Sequence, residues 1–277
     1  MKGQDIKHRI NGARETVKIT RAMQLVSASK MSKAERKLEK SGVFLSLMFD
    51  VVKKMGKITS PLAAKREVGK RSYIVIAGDK GLCGDYNHRI LDYAAEVVGD
   101  DPDAKVYAVG QFVREYFNKK RIHVNNRFLH LMQGVVNEEI RDMAYYLADS
   151  FIKGETDEIY IVFTLIKGKN PSRQTPCAVR LFPVEVPVQT SEEGILEYPK
   201  DEDNILKQYI WAYIDFALCS AECAVNYKCM TAMQQATTNG EELVEGLNRQ
   251  YNHIRQEKIT SELMDSCFSG VKAGDKE

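Results

Sequence analysis

Proline is missing where it would cost a helix most: none occurs from Gly3 to about Lys57, and none from Ile205 to about Phe268. Long helices are therefore open to both ends of the chain. Long apolar runs are missing too. A membrane-spanning helix needs roughly 18 to 20 consecutive apolar residues, whereas the longest run here, Ile159 to Ile166, suits a buried strand. Membrane contact is expected only through a partner. The opening MKGQDIKHRINGARE has no apolar signal core, and helical periodicity from Ile6 leaves no room for a transit peptide, so it reads as a mature bacterial-type start. Six cysteines, Cys83, Cys177, Cys219, Cys223, Cys229 and Cys267, contain no Cys-x-x-Cys spacing, and the five histidines are scattered. The compartment accordingly reads as reducing. Cys219 and Cys223 are four apart but lack two further ligands, so they read as small buried apolar residues rather than a metal site.

The net charge of +2 conceals an asymmetry. Residues 1 to 70 carry 17 basic and 6 acidic side chains, or +11, which leaves −9 for the rest. The N-terminal segment wants an acidic neighbour. Nucleic acid is not expected in that role, because only Phe44 and Phe49 are aromatic in this stretch and no groove-reading motif occurs.

Apolar residues recur at three- and four-residue steps as Ile6, Ile10, Ala13, Val17, then Ile19, Met23 and Val26. This predicts one helix of up to roughly 55 residues, about 80 Å long at 1.5 Å per residue. The other end mirrors it through Tyr209, Tyr213, Phe216, Leu243, Leu247, Ile254 and Leu263, with Asn239 and Gly240 as its weak point. These stripes are too narrow and broken for a long parallel dimer. Two helices joined through an intervening domain can instead wrap antiparallel as an intramolecular coiled coil.

Ser60-Pro61 ends the first helix, and short apolar runs then alternate with helical segments. Strands are predicted at 73 to 77, 105 to 109, 158 to 165 and 178 to 186, with helices at 86 to 98, 111 to 120 and 135 to 153. That order is the βαβ signature of a mostly parallel, Rossmann-like sheet. The expected organisation is an N-terminal coiled-coil helix over 1–58, an α/β domain over 70–190, a polar connector over 187–204 and a C-terminal coiled-coil helix over 204–269.

The most enzyme-like feature is Gly78-Asp79-Lys80-Gly81-Leu82-Cys83-Gly84, between a strand and a helix, where a phosphate loop would sit. Its glycines fall at three-residue intervals, not as G-x-G-x-x-G, and no Lys-Ser/Thr closes a P-loop. Glycines there can equally supply positive φ in a turn. Cys83 with His88 lacks a third orienting group, so it makes a weak nucleophile and base. Asp157-Glu158 reads as a solvated strand edge, and Trp211 as packing against the α/β domain. No catalytic residue, cofactor or metal is expected.

Three separated segments in order resemble the gamma subunit of F-type ATP synthases over nearly the whole chain. The first holds Ile6-Lys7-His8-Arg9-Ile10, Thr16-Val17-Lys18-Ile19-Thr20-Arg21-Ala22-Met23 and Leu25-Val26-Ser27-Ala28-Ser29-Lys30. The second is the 78–84 turn with Tyr86-Asn87. The third holds Met230-Thr231-Ala232-Met233, Ala236-Thr237, Asn239, Tyr251-Asn252, Arg255-Gln256, Ile259-Thr260 and Glu262-Leu263. The resemblance implies a non-catalytic central-stalk rotor. Its coiled coil would turn inside a hexamer of alpha and beta subunits, and its α/β foot would stand on the ring of c subunits beside epsilon. Rotation would then be coupled to proton or sodium transport at the cytoplasmic face of a bacterial membrane. It further implies hexamer contacts at Ile19, Met23, Val26, Lys30, Met230, Met233, Arg255, Gln256, Ile259, Thr260, Glu262 and Leu263, and a foot loop of Gly81, Leu82, Cys83, Gly84, Tyr86 and Asn87.

The chain departs from the family pattern at Asp85, where glycine is expected, and at Val225 and Cys229, where an acid and an arginine are expected. It also departs at Ser266-Cys267 and in the charged tail from Lys272 to Glu277. The resemblance places Val225 and Cys229 where the shaft touches the hexamer, so their contacts there are expected to be weakened. No inserted cysteine-bearing segment of the chloroplast kind is present, so no thiol-dependent switch is expected. On the residues alone, two other readings stay open: an unrelated coiled-coil scaffold, and a nucleotide-binding protein with helical arms.

Overall fold

In the computed structural model, residues 3–55, 58–67, 69–99, 101, 103–129, 132, 137–168, 170–185 and 201–274 are described, with side chains as far as Asp265. Most of the connector expected at 187–204, the last residues of the charged tail, and the side chains of Ser266 and Cys267 lie outside the described residues. The elements run α1 (Gly3–Lys54), β1 (Arg71–Ile76), α2 (Tyr86–Val98), β2 (Lys105–Val109), α3 (Gln111–Lys119), β3 (His123–Asn125), α4 (Asn137–Ile152), β4 (Glu158–Ile166), β5 (Gln174–Phe182) and α5 (Glu202–Gly274). They form two compact units, Ser27–Cys229 and Met1–Val26 with Met230–Glu277.

The larger unit is built on a five-stranded sheet of order β3-β2-β1-β4-β5. β1 pairs in parallel with β2 and β4, β2 pairs in parallel with β3, and β5 closes the other edge antiparallel to β4. Central β1 is buried from Ser72 through Ile76 because both its faces are covered. This is why it reads as an unbroken apolar run rather than an alternating one. Its side chains still alternate. Ile74 and Ile76 join a core with α4 and with Leu206, Ile210 and Ile214 of α5, while Tyr73 and Val75 join a core with α2 and α3. Pro176 has no N–H to donate, and it sits in an edge strand, where none is needed on the outer side.

One expectation, for Asp157-Glu158, needs correction here, while that for Trp211 holds. Glu158 is buried, not a solvated edge: its carboxylate accepts from Arg71 and Arg180, each at 3.3 Å, and from the Tyr160 hydroxyl at 3.1 Å. Asp157 accepts from the Gly69 and Lys70 amides at 2.9 and 2.8 Å. Trp211 packs on the core that includes α4, and its ring also meets Phe44 of α1 edge-on at 5.3 Å.

The smaller unit is an antiparallel helix pair. Thr20 meets Thr237 through their hydroxyls at 2.8 Å, Arg21 pairs with Glu241, and Gly3 lies beside Tyr251. Partners therefore rise on α5 as they fall on α1. Ile6, Ile10 and Leu247 are buried together, flanked by Tyr251 and Ile254. Each such side chain contributes about 1.5 to 3 kcal/mol when fully buried, so the seam holds by few large contacts. α5 runs unbroken through Asn239 and Gly240. Gly240 is not a weak point but a close approach, since a Cβ there would lie 2.6 Å from Val17 Cγ2.

Candidate functional site

In the helix pair, the apolar residues predicted from one continuous stripe divide into two sets. Val17, with Thr20 beside it, faces the seam, whereas Ile19 and Val26 are 59% and 56% exposed and Met23 is exposed beside them. Leu25 is exposed as well. On α5, Met233 is buried in the seam and Met230 is half-buried, while Arg255, Gln256, Ile259, Thr260, Glu262 and Leu263 are all exposed. Lys30, which belongs to the larger unit, is exposed. The seam is thus narrower than the apolar content of its helices. On α5 the exposed set from Arg255 to Leu263 lies beyond Tyr251, the residue beside Gly3 near the start of α1.

The turn between β1 and α2 is stitched shut by its own side chains. Gly78 donates its amide to Asn87 Oδ1 at 2.9 Å, and Asn87 Nδ2 donates to the Lys80 carbonyl at 3.3 Å. Asp79 accepts from the Gln111 amide at 3.0 Å, at the start of α3. A Cβ at Gly78 would lie 2.9 Å from Asn87 Oδ1 and 3.3 Å from Val225, so that glycine serves close packing. Gly84 and, unusually, Leu82 take left-handed φ of 59° and 65°. Gly81 and Leu82 are exposed, while Cys83, Tyr86 and Asn87 are buried. Tyr86 donates its hydroxyl to the Ala221 carbonyl at 3.4 Å, and burial pushes its pKa up to about 12. The position of an anion in a phosphate loop is taken here by Asn87 and by the backbone itself.

The sequence reading missed what covers this turn. Cys83 and Cys229 form a disulfide across 146 residues. Lys228 Nζ lies 2.9 Å from Asp85, whose carboxyl it holds below the ordinary aspartate range through that hydrogen bond. Val225 packs against Gly78. The expectation that Val225 and Cys229 are turned to a hexamer is therefore corrected: both face the α/β domain, as does Lys228. No local signal announced either contact, because the partners of Asp85 and Cys229, which are Lys228 and Cys83, lie 143 and 146 residues away in sequence. Cys177, Cys219 and Cys223 remain thiols. Burial raises the last two to about 12. Among the described residues, no group of three or more His, Cys, Asp or Glu side chains could hold a metal ion, and no helix is long and apolar enough to cross a membrane.

A Rossmann-like sheet whose glycine turn is filled from within, joined to terminal helices paired antiparallel with apolar side chains left outside their seam, defines a class of assembly subunits. The family profile that matches residues 2–273 is described as ATP synthase, and the chain belongs to that family. Its curated relatives include the ATP synthase gamma chain of Desulforamulus reducens, 31% identical over 272 residues and covering 95% of each chain. They also include the sodium ion specific ATP synthase gamma chain of Acetobacterium woodii, 29% identical over 290 residues, again covering 95% of each. Among solved structures, a chain of the Euglena gracilis mitochondrial ATP synthase, resolved with OSCP, F1 and c-ring, superposes with a TM-score of 0.67. At 16% identity, over 99% of this chain and 96% of that one, it shares the fold.

Proposed function

We propose that this chain is the central-stalk rotor subunit of an F-type ATP synthase, a non-catalytic part at the cytoplasmic face of a bacterial membrane. The helix pair turns inside the alpha and beta subunits, and the α/β domain stands with epsilon on the c-ring. One observation carries this reading: apolar and polar side chains of both paired helices, Ile19, Met23, Val26, Ile259 and Leu263 among them, are left outside the seam that the two helices make together. Because the two helices differ in sequence, each rotational orientation offers the surrounding subunits a different set of contacts. Differential contact energy of that kind shifts conformational populations and with them nucleotide affinity. The +11 of residues 1 to 70 favours an acidic surface on those subunits.

Reconstitution of ATPase from alpha and beta subunits, with and without this chain, tests the proposal. Steady multi-turnover hydrolysis that needs the chain is expected. Calorimetry of the chain alone with ATP, ADP and NAD should give no tight binding. Hydrolysis indifferent to the chain, or micromolar nucleotide affinity abolished by Gly81→Val, would overturn it in favour of an unrelated scaffold or a nucleotide-binding protein respectively. Ion transport assayed in sodium-free and sodium-containing vesicles distinguishes proton from sodium coupling.

A further inference from the structure

We propose that Cys83 and Cys229 form a redox-active thiol–disulfide site, reduced by a dithiol, that clamps the 79–85 turn onto α5 when closed and releases it when open. The bond is one of three ties at the same place, with Lys228 to Asp85 and Val225 against Gly78. It is the only covalent one. The ion pair is solvent-facing, the Asp85 side chain being 55% exposed, and an exposed pair holds a turn weakly. The Asn87 and Asp79 bonds close the base of the turn at Gly78 to Lys80 and do not reach its tip, where Gly81, Leu82, Gly84 and Asp85 are exposed and two of these four sit in the left-handed region.

The two sulfurs differ in access. Cys83 is buried, and Cys229 is partly exposed, so an incoming thiolate reaches Cys229 Sγ first. Attack there forms a mixed disulfide between the reductant and Cys229, breaks the Sγ–Sγ bond and expels Cys83 as a thiolate, which takes a proton from solvent. The reductant's second thiol then displaces Cys229, which is protonated in turn, and closes the reductant's own disulfide. Two electrons and two protons pass from dithiol to chain. The open state has a place for its thiol, since Cys83 Sγ lies 3.4 Å from the Gly81 carbonyl and 3.9 Å from that of Lys80. The remaining described cysteines do not compete, because Cys177, Cys219 and Cys223 have pKa values raised by burial to about 11, 12 and 12. The expectation that this chain has no thiol-dependent element, which rested on the lack of an inserted segment, is thus replaced by a pair drawn from two elements of the domain itself.

The test uses the full chain held in oxidised or reduced dithiothreitol. Non-reducing proteolysis with mass spectrometry should yield a joined Cys83–Cys229 peptide only from the oxidised sample. Backbone amides of residues 81–85 should exchange at least ten-fold faster in the reduced sample, with those of β1 unchanged. The double variant Cys83→Ser with Cys229→Ser should exchange at the fast rate in both conditions. Should that variant fail to fold, the reversible comparison on the unaltered chain decides alone. Alkylation of both cysteines by iodoacetamide in the oxidised sample, or identical exchange in the two states, overturns the proposal. A final arm, which rests on the rotor reading, compares ATPase of the reconstituted complex in the two states and expects at least a two-fold difference lost in the double variant. A chain that drives hydrolysis in neither state refutes the rotor reading and leaves the thiol chemistry standing; a missing joined peptide refutes the site whatever the ATPase does.

Discussion

Replacing Gly240 with alanine sets two physical effects against each other within the helix pair. In an isolated helix the change is favourable by about 1 kcal/mol, since glycine is the costlier residue in a helix interior. Here the new methyl would lie 2.6 Å from Val17 Cγ2, roughly 0.8 Å inside van der Waals contact. Valine in a helix is held to essentially one χ1 rotamer, so the methyl cannot swing aside and the two backbones must part. Overpacking of this kind costs about 1 to 3 kcal/mol. The net expectation is a helix pair destabilised by up to about 2 kcal/mol, despite a substitution that improves helix propensity. Adding Val17→Ala removes the obstruction and should recover most of the loss, giving a coupling energy of about 1 to 3 kcal/mol across the double-mutant cycle. Amide exchange of residues 233–247 reads this directly, with 1.4 kcal/mol corresponding to about ten-fold in opening. The reasoning is refuted if Gly240→Ala by itself slows exchange there, for then helix propensity wins and the approach is not tight.

Two further outcomes concern the larger unit. Glu158→Gln keeps the side chain's shape but leaves Arg71 and Arg180 without their carboxylate, and because both arginines are partly exposed the loss should be about 1 to 2 kcal/mol, seen as a lowered Tm; an unchanged Tm would mean that water replaces the carboxylate without cost. Asp157 and Asp85 have pKa values depressed in the folded state, chiefly by the Lys70 amide and by Lys228 respectively, so their contribution is complete above the ordinary value of 3.8 and is lost as pH falls through the lower folded values. Denaturant midpoints taken below about pH 4 should fall less steeply for Asp157→Asn than for the unaltered chain, and equal slopes would show that this carboxylate is not the titrating contact.

The terminal helices were legible because absence of proline and a three- and four-residue period over dozens of positions leave few alternatives; α2 and β2 match their expected bounds to the residue. β3 escaped because it has three residues, two of them His123 and Asn125, too short for any period. β5 was placed four residues late, its first half, Gln174-Thr175-Pro176, being the polar and proline-bearing stretch that an exposed edge tolerates. The helix pair's outward set was half legible: one stripe ran from Ile6 to Val26, but whether a given residue turns inward depends on how the partner helix crosses, and that is not local information. The disulfide was not legible at all. Pairing between cysteines 146 residues apart is fixed by the sheet that brings them together, and no spacing rule reaches that far.

The apolar side chains left outside the helix seam carry a consequence for supply as well as for contact. A copy of this chain made without companions shows water Leu25, Val26, Leu263 and their neighbours continuously, which is the signature that holding chaperones and proteases recognise. Surplus is thus self-limiting: each molecule is either enclosed by an assembly or exposed to clearance, and the number of finished complexes is set by whichever component is scarcest.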